Sequence, residues 1–274
     1  MNAMQRIKAL GRIMFIDGMR RHALIGLVIL SLLAEAFGLL FMDFFGHDVG
    51  RASSDFLFSI MWMAGLLFLF FHAVQVIAWD EENGAIYALL SRPISRAEYV
   101  LGVFAGLALL LFCLHLLLGT VAYGTLLLIK QSLRETYFPV FSMPHFVLTW
   151  LGIVVMQWVL LAAIMLFSGM VRGGFPVLLL TMAYYGICSG LPVVRASVSQ
   201  HLSPEQSSSG LTYFLQALTT VFPDFSRLDF KDSVLSSQLL FSNWHIAVYF
   251  GVAGLYIALA IVFACQLYAR RDLQ

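Results

Sequence analysis

Asp80-Glu81-Glu82-Asn83-Gly84-Ala85-Ile86-Tyr87-Ala88-Leu89-Leu90-Ser91-Arg92-Pro93-Ile94-Ser95-Arg96-Ala97-Glu98 is a polar island between two apolar runs, Phe56 to Ala78 and Tyr99 to Ile129. A helix needs about 20 apolar residues to cross the hydrocarbon core of a bilayer, and both runs reach that length. The island therefore joins two membrane crossings. It has room for a short helix and a turn and for no folded domain. The longer run, Tyr99 to Ile129, also leaves residues over for tilt or projection.

Outward from the island, further runs occur near Ala23 to Met42, His145 to Met170, Phe175 to Val194 and Trp244 to Tyr268. The expected fold is thus an all-α integral membrane protein of six transmembrane helices, forming one domain over residues 1–274. Composition agrees: 61% of the residues are hydrophobic and 11% charged, with a mean hydropathy of +0.88, far from a soluble domain. The net charge of +1 supplies no concentrated basic face, so nucleic acid is not an expected partner. Cys113, Cys188 and Cys265 lie far apart in apolar runs without ligand spacing, and are read as reduced packing residues. The N-terminus lacks the apolar core of a cleavable signal, so the first run is expected to stay as an anchor.

With both termini on the inner side, the inner segments hold ten of the 16 Lys and Arg residues and the longer outer segments six. That asymmetry places the island in the cytoplasm. In residues 1–22, Met4, Ile7, Leu10 and Met14 recur at helical spacing beside Arg6, Lys8 and Arg12, which suits an interfacial elbow helix among membrane lipids. A frayed basic tail is the alternative. The last outer segment, 195–243, carries the apolar stretch Leu211 to Phe222, too short to span, and is expected to form a re-entrant or surface helix before the sixth span.

Within the island, Ile86, Leu89 and Leu90 share a helical face, and Asp80, Glu81 and Glu82 sit where the helix dipole favours anions. Pro93 disfavours helix at Arg92 and breaks the chain. Ser95 and Glu98 then have the spacing of a capping box, with Ile94 and Tyr99 at the positions of a hydrophobic staple. The apolar face of the first piece has nothing in so small a loop to pack on. It suits a partner protein, or equally a turn whose leucines dip into the headgroups.

The pattern formed by Glu81, Glu82, Gly84, Leu89, Leu90, Ser91, Pro93, Ser95, Arg96, Glu98, Tyr99 and Gly102 resembles the loop after the second span in ABC-2 type transporter permeases. The basic elbow, the six spans, the helix-bearing outer segment and the ending Tyr268-Ala269-Arg270-Arg271-Asp272-Leu273 extend the resemblance, which is closest to the group associated with multicopper-enzyme maturation permeases. Val103 departs from it where many members place Lys. The resemblance implies a coupling helix that docks on a cytoplasmic ABC ATPase, present in two copies. The coupling residues would be Glu81, Glu82, Gly84, Ile86, Leu89, Leu90, Arg92, Pro93 and Arg96. It also implies a second permease copy, a bacterial inner membrane location, and export. No G-x-x-x-x-G-K-[ST] loop occurs in this chain, so no cofactor is expected in it, and ATP and Mg would bind the partner.

Glu35 is the one acid well inside a span, where a charge costs roughly 2.5–3.5 kcal/mol on insertion scales. It is a translocation-path candidate, or else a protonated residue bonded to a neighbouring helix. His72 and His115 have no second ligand at helical spacing, so hydrogen bonding between helices is preferred to a metal site. Gln75 and Gln157 are read the same way. Gly102 and Gly106 permit close helix approach. Trp79, Trp150 and Trp244 are placed as interfacial anchors. Competing functions are an intramembrane enzyme acting on a lipid, for which no nucleophile-base spacing is found, and a passive channel or scaffold, for which no filter-like element is found.

Overall fold

The computed structural model describes residues 2–40, 49–82, 94–132, 141–201, 217–218, 222–235 and 243–270. Among them there is no strand. The elements are α1 (Ala3–Arg20), α2 (His22–Leu40), α3 (Val49–Leu67), a π-helical turn (Phe68–Ala73), α4 (Val74–Glu82), α5 (Arg96–Ser132), α6 (Met143–Met170), α7 (Gly174–His201), two 3-10 turns (Phe225–Leu228 and Lys231–Ser233) and α8 (Asn243–Arg270). Helix is the expected solution, because apolar segments in lipid must satisfy their backbone groups internally.

Among the described residues, five helical segments are long and apolar enough to cross a membrane: Val49–Asp80, Arg96–Gln131, Met143–Met170, Gly174–Val194 and Trp244–Arg270. A sixth is reached if Ala3–Arg20 and Leu24–Gly38, bent by 60°, count together. The bend falls at Arg21, whose backbone is extended. The protein is a helical multi-pass membrane protein.

α6 is the central helix, with 72% of its most apolar window buried, against 17% in α7 and 11% in α8. The last two thus turn apolar faces outward, such as Leu179, Met182, Leu255 and Phe263. Polar side chains tie the centre together, as expected for helices in lipid. Gln157 in α6 lies over Gly65 of α3, where a Cβ would collide with it, and donates to the Trp62 carbonyl at 3.1 Å. Trp150 is partly buried, its indole N–H donating to the His115 carbonyl at 2.9 Å. Between α6 and α7, Gly173 adopts φ +89°, a left-handed turn that glycine accepts without strain.

The elbow helix also packs along the bundle. α1 runs beside α5 in the same direction, Arg6 meeting Glu98, Leu10 meeting Gly102 and Met14 meeting Gly106. Cβ atoms at Gly102 and Gly106 would lie 2.6 Å from that of Leu10 and 2.7 Å from that of Met14. The glycine pair of span three is therefore a seat for the N-terminal helix. The buried stripe of α1 is Leu10, Gly11, Met14 and Gly18, while Met4 is 62% exposed.

Candidate coupling site at the root of the island

Both ends of the island are built into the bundle. At its start, Asp80 in the last turns of α4 is buried and accepts a hydrogen bond from the Tyr99 hydroxyl at 3.0 Å. This bond closes the base of the island. At its end, the Ser95 N–H donates to Glu98 Oε2 at 2.9 Å and the Glu98 N–H donates to Ser95 Oγ at 3.2 Å. Both halves of the expected capping box are present, so the start of α5 is fixed by its own first turn.

The second oxygen of Glu98 has another task. Arg6 of α1 donates to Oε1 through Nε at 3.1 Å and Nη2 at 2.7 Å. One carboxylate thus caps α5 and docks α1. Arg96 reaches across the bundle, donating from Nη1 to the carbonyls of Tyr268 at 3.0 Å and Ala269 at 2.9 Å. Those carbonyls belong to the last turn of α8, where helices leave acceptors without an internal partner. The Tyr268 ring lies 6.2 Å from that of Tyr99, and its hydroxyl is 2.9 Å from Ser168 Oγ of α6. Five helices, α1, α4, α5, α6 and α8, therefore meet at the root.

Of the residues expected to couple, Gly84, Ile86, Leu89, Leu90, Arg92 and Pro93 lie outside the described residues. Glu81 and Glu82 end α4. Arg96 is engaged with α8 as above. The same holds for the expected re-entrant helix, of which only Ala217, Leu218 and Phe222 are described. Sequence reasoning missed the pairing of Arg6 with Glu98 and that of Asp80 with Tyr99. The regular offset between the Met4-Ile7-Leu10-Met14 stripe and the Gly102-Gly106 pair was the available signal.

Glu35 belongs to the inward face of α2 with Leu24 and Ser31, is 2% exposed, and neither carboxyl oxygen has a hydrogen-bond partner among the described residues. His115 Nδ1 is 2.9 Å from the Leu111 carbonyl of its own helix, and His72 packs on the Phe68 ring at 5.0 Å. Among the described residues no group of three or more His, Cys, Asp or Glu side chains gathers to hold a metal ion. Compared with models of known protein families and with the sequences of curated proteins, the chain matches none.

Proposed function

We propose that this chain is the transmembrane subunit of an ABC-2 type transporter, coupling ATP hydrolysis on a separate subunit to export of a cargo. One observation carries the reading: the island is clamped at its base by Asp80 and Tyr99 and rooted by Glu98 and Arg96 in the first and last helices. A docking loop must transmit displacement to the spans instead of absorbing it, and a root shared by five helices suits that task. The resemblance of Glu81 to Gly102 to coupling loops supplies the partner: two copies of a cytoplasmic ABC ATPase, which would hold ATP and Mg. A second permease copy completes the pathway, in a bacterial inner membrane with both termini cytoplasmic. Rocking of the two halves would open the outward exit. Glu35, an acid on an inward helix face with no hydrogen-bond partner among the described residues, is the candidate along the path.

The test is co-purification of the chain with its ATPase, with hydrolysis measured in nanodiscs. Reversing Glu81 and Glu82 to Lys is expected to abolish the complex while leaving the permease monodisperse. If the chain never retains an ATPase, or if the reversals leave hydrolysis unchanged, the reading fails.

A further inference from the structure

Opposite the island, residues 222–235 form a wedge whose apolar side chains turn inward. Phe225, Leu228, Phe230 and Val234 are buried, and the Leu228 carbonyl presses on Gly152 of α6, where a Cβ would collide with it. Asp229 and Asp232 stay exposed. Where the end of the wedge meets the first turns of α3, a cavity of ≈ 380 Å³ is lined by Arg51, Ser54, Asp55, Lys231, Asp232 and Leu235. Asp55 lies roughly 9 Å along α3 from Val49, at 1.5 Å per residue. The cavity therefore sits near one end of the span.

Each cation around this cavity has a carboxylate nearer to it than Asp55. Arg51 Nη2 donates to Asp232 Oδ1 at 2.7 Å, which leaves its Nε 3.9 Å from Asp55 Oδ2, too far for a hydrogen bond. Lys231 Nζ faces Asp229 Oδ2 at 3.8 Å, and Arg227 is held by Asp224 at 3.2 Å. Asp55, Asp229 and Asp232 thus share two cations, Arg51 and Lys231. Among the described residues one negative charge is left over, and it falls on Asp55. The excess holds wherever the edge of the cavity is drawn, because Lys231 is already counted with Asp229 and Arg227 with Asp224.

A second observation comes from the same wall. Ser54 is 1% exposed, and its hydroxyl has no hydrogen-bond partner among the described residues. Its neighbour Ser53 shows what a helix offers a buried serine: that hydroxyl donates to the Val49 carbonyl, four residues back, at 2.6 Å. Ser54 leaves the equivalent bond unmade. Its oxygen keeps acceptor capacity at the wall of a cavity, where a buried polar group calls for a partner.

A surplus carboxylate and an idle hydroxyl suit a cation that donates hydrogen bonds. A metal ion is poorly served, since no group of three or more His, Cys, Asp or Glu side chains gathers among the described residues and a hard cation such as calcium takes about six to eight oxygen ligands. A primary ammonium carries its own donors. The cavity volume leaves room for the carbon chain behind it, against Leu235.

We propose that this cavity binds a primary ammonium group, Asp55 supplying the countercharge and Ser54 a hydrogen-bond acceptor. The site stands whether or not the chain pairs with an ATPase. Such a group is carried by an ethanolamine lipid headgroup or by a free amine. The test places a thiol in the wall, Leu235→Cys, in the full chain in phosphatidylcholine nanodiscs. Labelling by a trimethylammonium methanethiosulfonate and by its sulfonate counterpart is read at position 235 by peptide mass spectrometry, each rate divided by that of β-mercaptoethanol in solution.

After that correction the cationic reagent should be favoured at position 235, and Asp55→Asn should cut the preference about fivefold, the effect of one exposed unit charge. Millimolar ethylammonium should slow the cationic reagent more than equal tetramethylammonium or potassium, and Ser54→Ala should narrow that difference. The competition needs only the reporter thiol, so it holds even if a further variant fails to fold. Slowing by phosphatidylethanolamine in the nanodisc, with no amine added, assigns the occupant to the headgroup; slowing by soluble ethylammonium alone assigns it to a free amine. No charge preference, a preference indifferent to Asp55→Asn, discrimination untouched by Ser54→Ala, or equal protection by ethylammonium and potassium would each overturn the site.

Discussion

The two ends of the bundle are held by different kinds of bond. At the island end, charged and polar side chains reach between distant segments: Arg6 to Glu98, Tyr99 to Asp80, Arg96 to the end of α8. At the far end, the polar groups of the wedge mostly satisfy themselves locally. Asp224 accepts from the N–H and hydroxyl of Ser226 and from Arg227, and Asp229 accepts from the Lys231 N–H. The wedge is attached to the helices by the packing of Phe225, Leu228 and Phe230, by Arg227 over the Tyr249 ring of α8 at 5.9 Å, by the Ser142 N–H donating to the Val234 carbonyl at 3.3 Å, and by the exposed bridge between Arg51 and Asp232. Long-range polar bonds make one end a single mechanical unit, and local ones leave the other free to shift as a piece.

The largest test of this contrast is Glu98→Ala, which removes the Arg6 ion pair and the carboxylate half of the capping box together and leaves Ser95 to cap the backbone. Thermal unfolding in nanodiscs should show a clear loss of stability, the largest of the changes considered. Glu98→Gln retains the cap and should lose less. Equal losses for the two variants would mean that Arg6 contributes nothing to the root.

Gly106→Ala ranks next. Its Cβ would stand 2.7 Å from Met14 Cβ and 2.8 Å from the Gly11 carbonyl oxygen, and overpacking of that kind costs about 1–3 kcal/mol. Gly26→Ala, at a glycine with nothing within 4 Å, is the matched control and should be neutral or mildly stabilising, since alanine is the better helix former. If both changes have the same effect on unfolding, α1 is not seated on α5.

The smallest effect belongs to the far end. The Arg51 and Asp232 side chains are 69% and 68% exposed, and exposed pairs contribute about 0–1 kcal/mol. Arg51→Ala should leave the unfolding temperature nearly unchanged. A loss as large as that of Glu98→Ala would show the wedge to be clamped as firmly as the root.

Much of this was legible in the chain. The long apolar runs mark the crossings, and Ser95 with Glu98 marks the start of α5, because both signals are local. Local spacing does not reveal which distant side chain a residue meets. Arg6 reads as one more headgroup-facing cation, and Gly102 with Gly106 signals a close approach without naming the helix that approaches. The wedge was hidden for another reason. Phe225, Leu228, Phe230 and Val234 alternate with Asp224, Arg227, Asp229 and Lys231, so averaged hydropathy describes a loop. Arg227 and Asp229 stay exposed while Phe225, Leu228 and Phe230 turn inward, so the burial follows single side chains rather than the segment. The π-helical turn at Phe68–Ala73 leaves no mark in a run that is apolar on every side.

The bond between Asp80 and Tyr99 has an evolutionary consequence. A loop whose base is already closed loses little more entropy when lengthened, each doubling costing only about 0.6 kcal/mol. Residues between the two can thus be exchanged or extended as a cassette while the spans keep their packing. If the island docks a soluble partner as proposed, specificity for that partner would drift independently of the packing of the spans, and a foreign island grafted between Asp80 and Ser95 should leave the bundle folded.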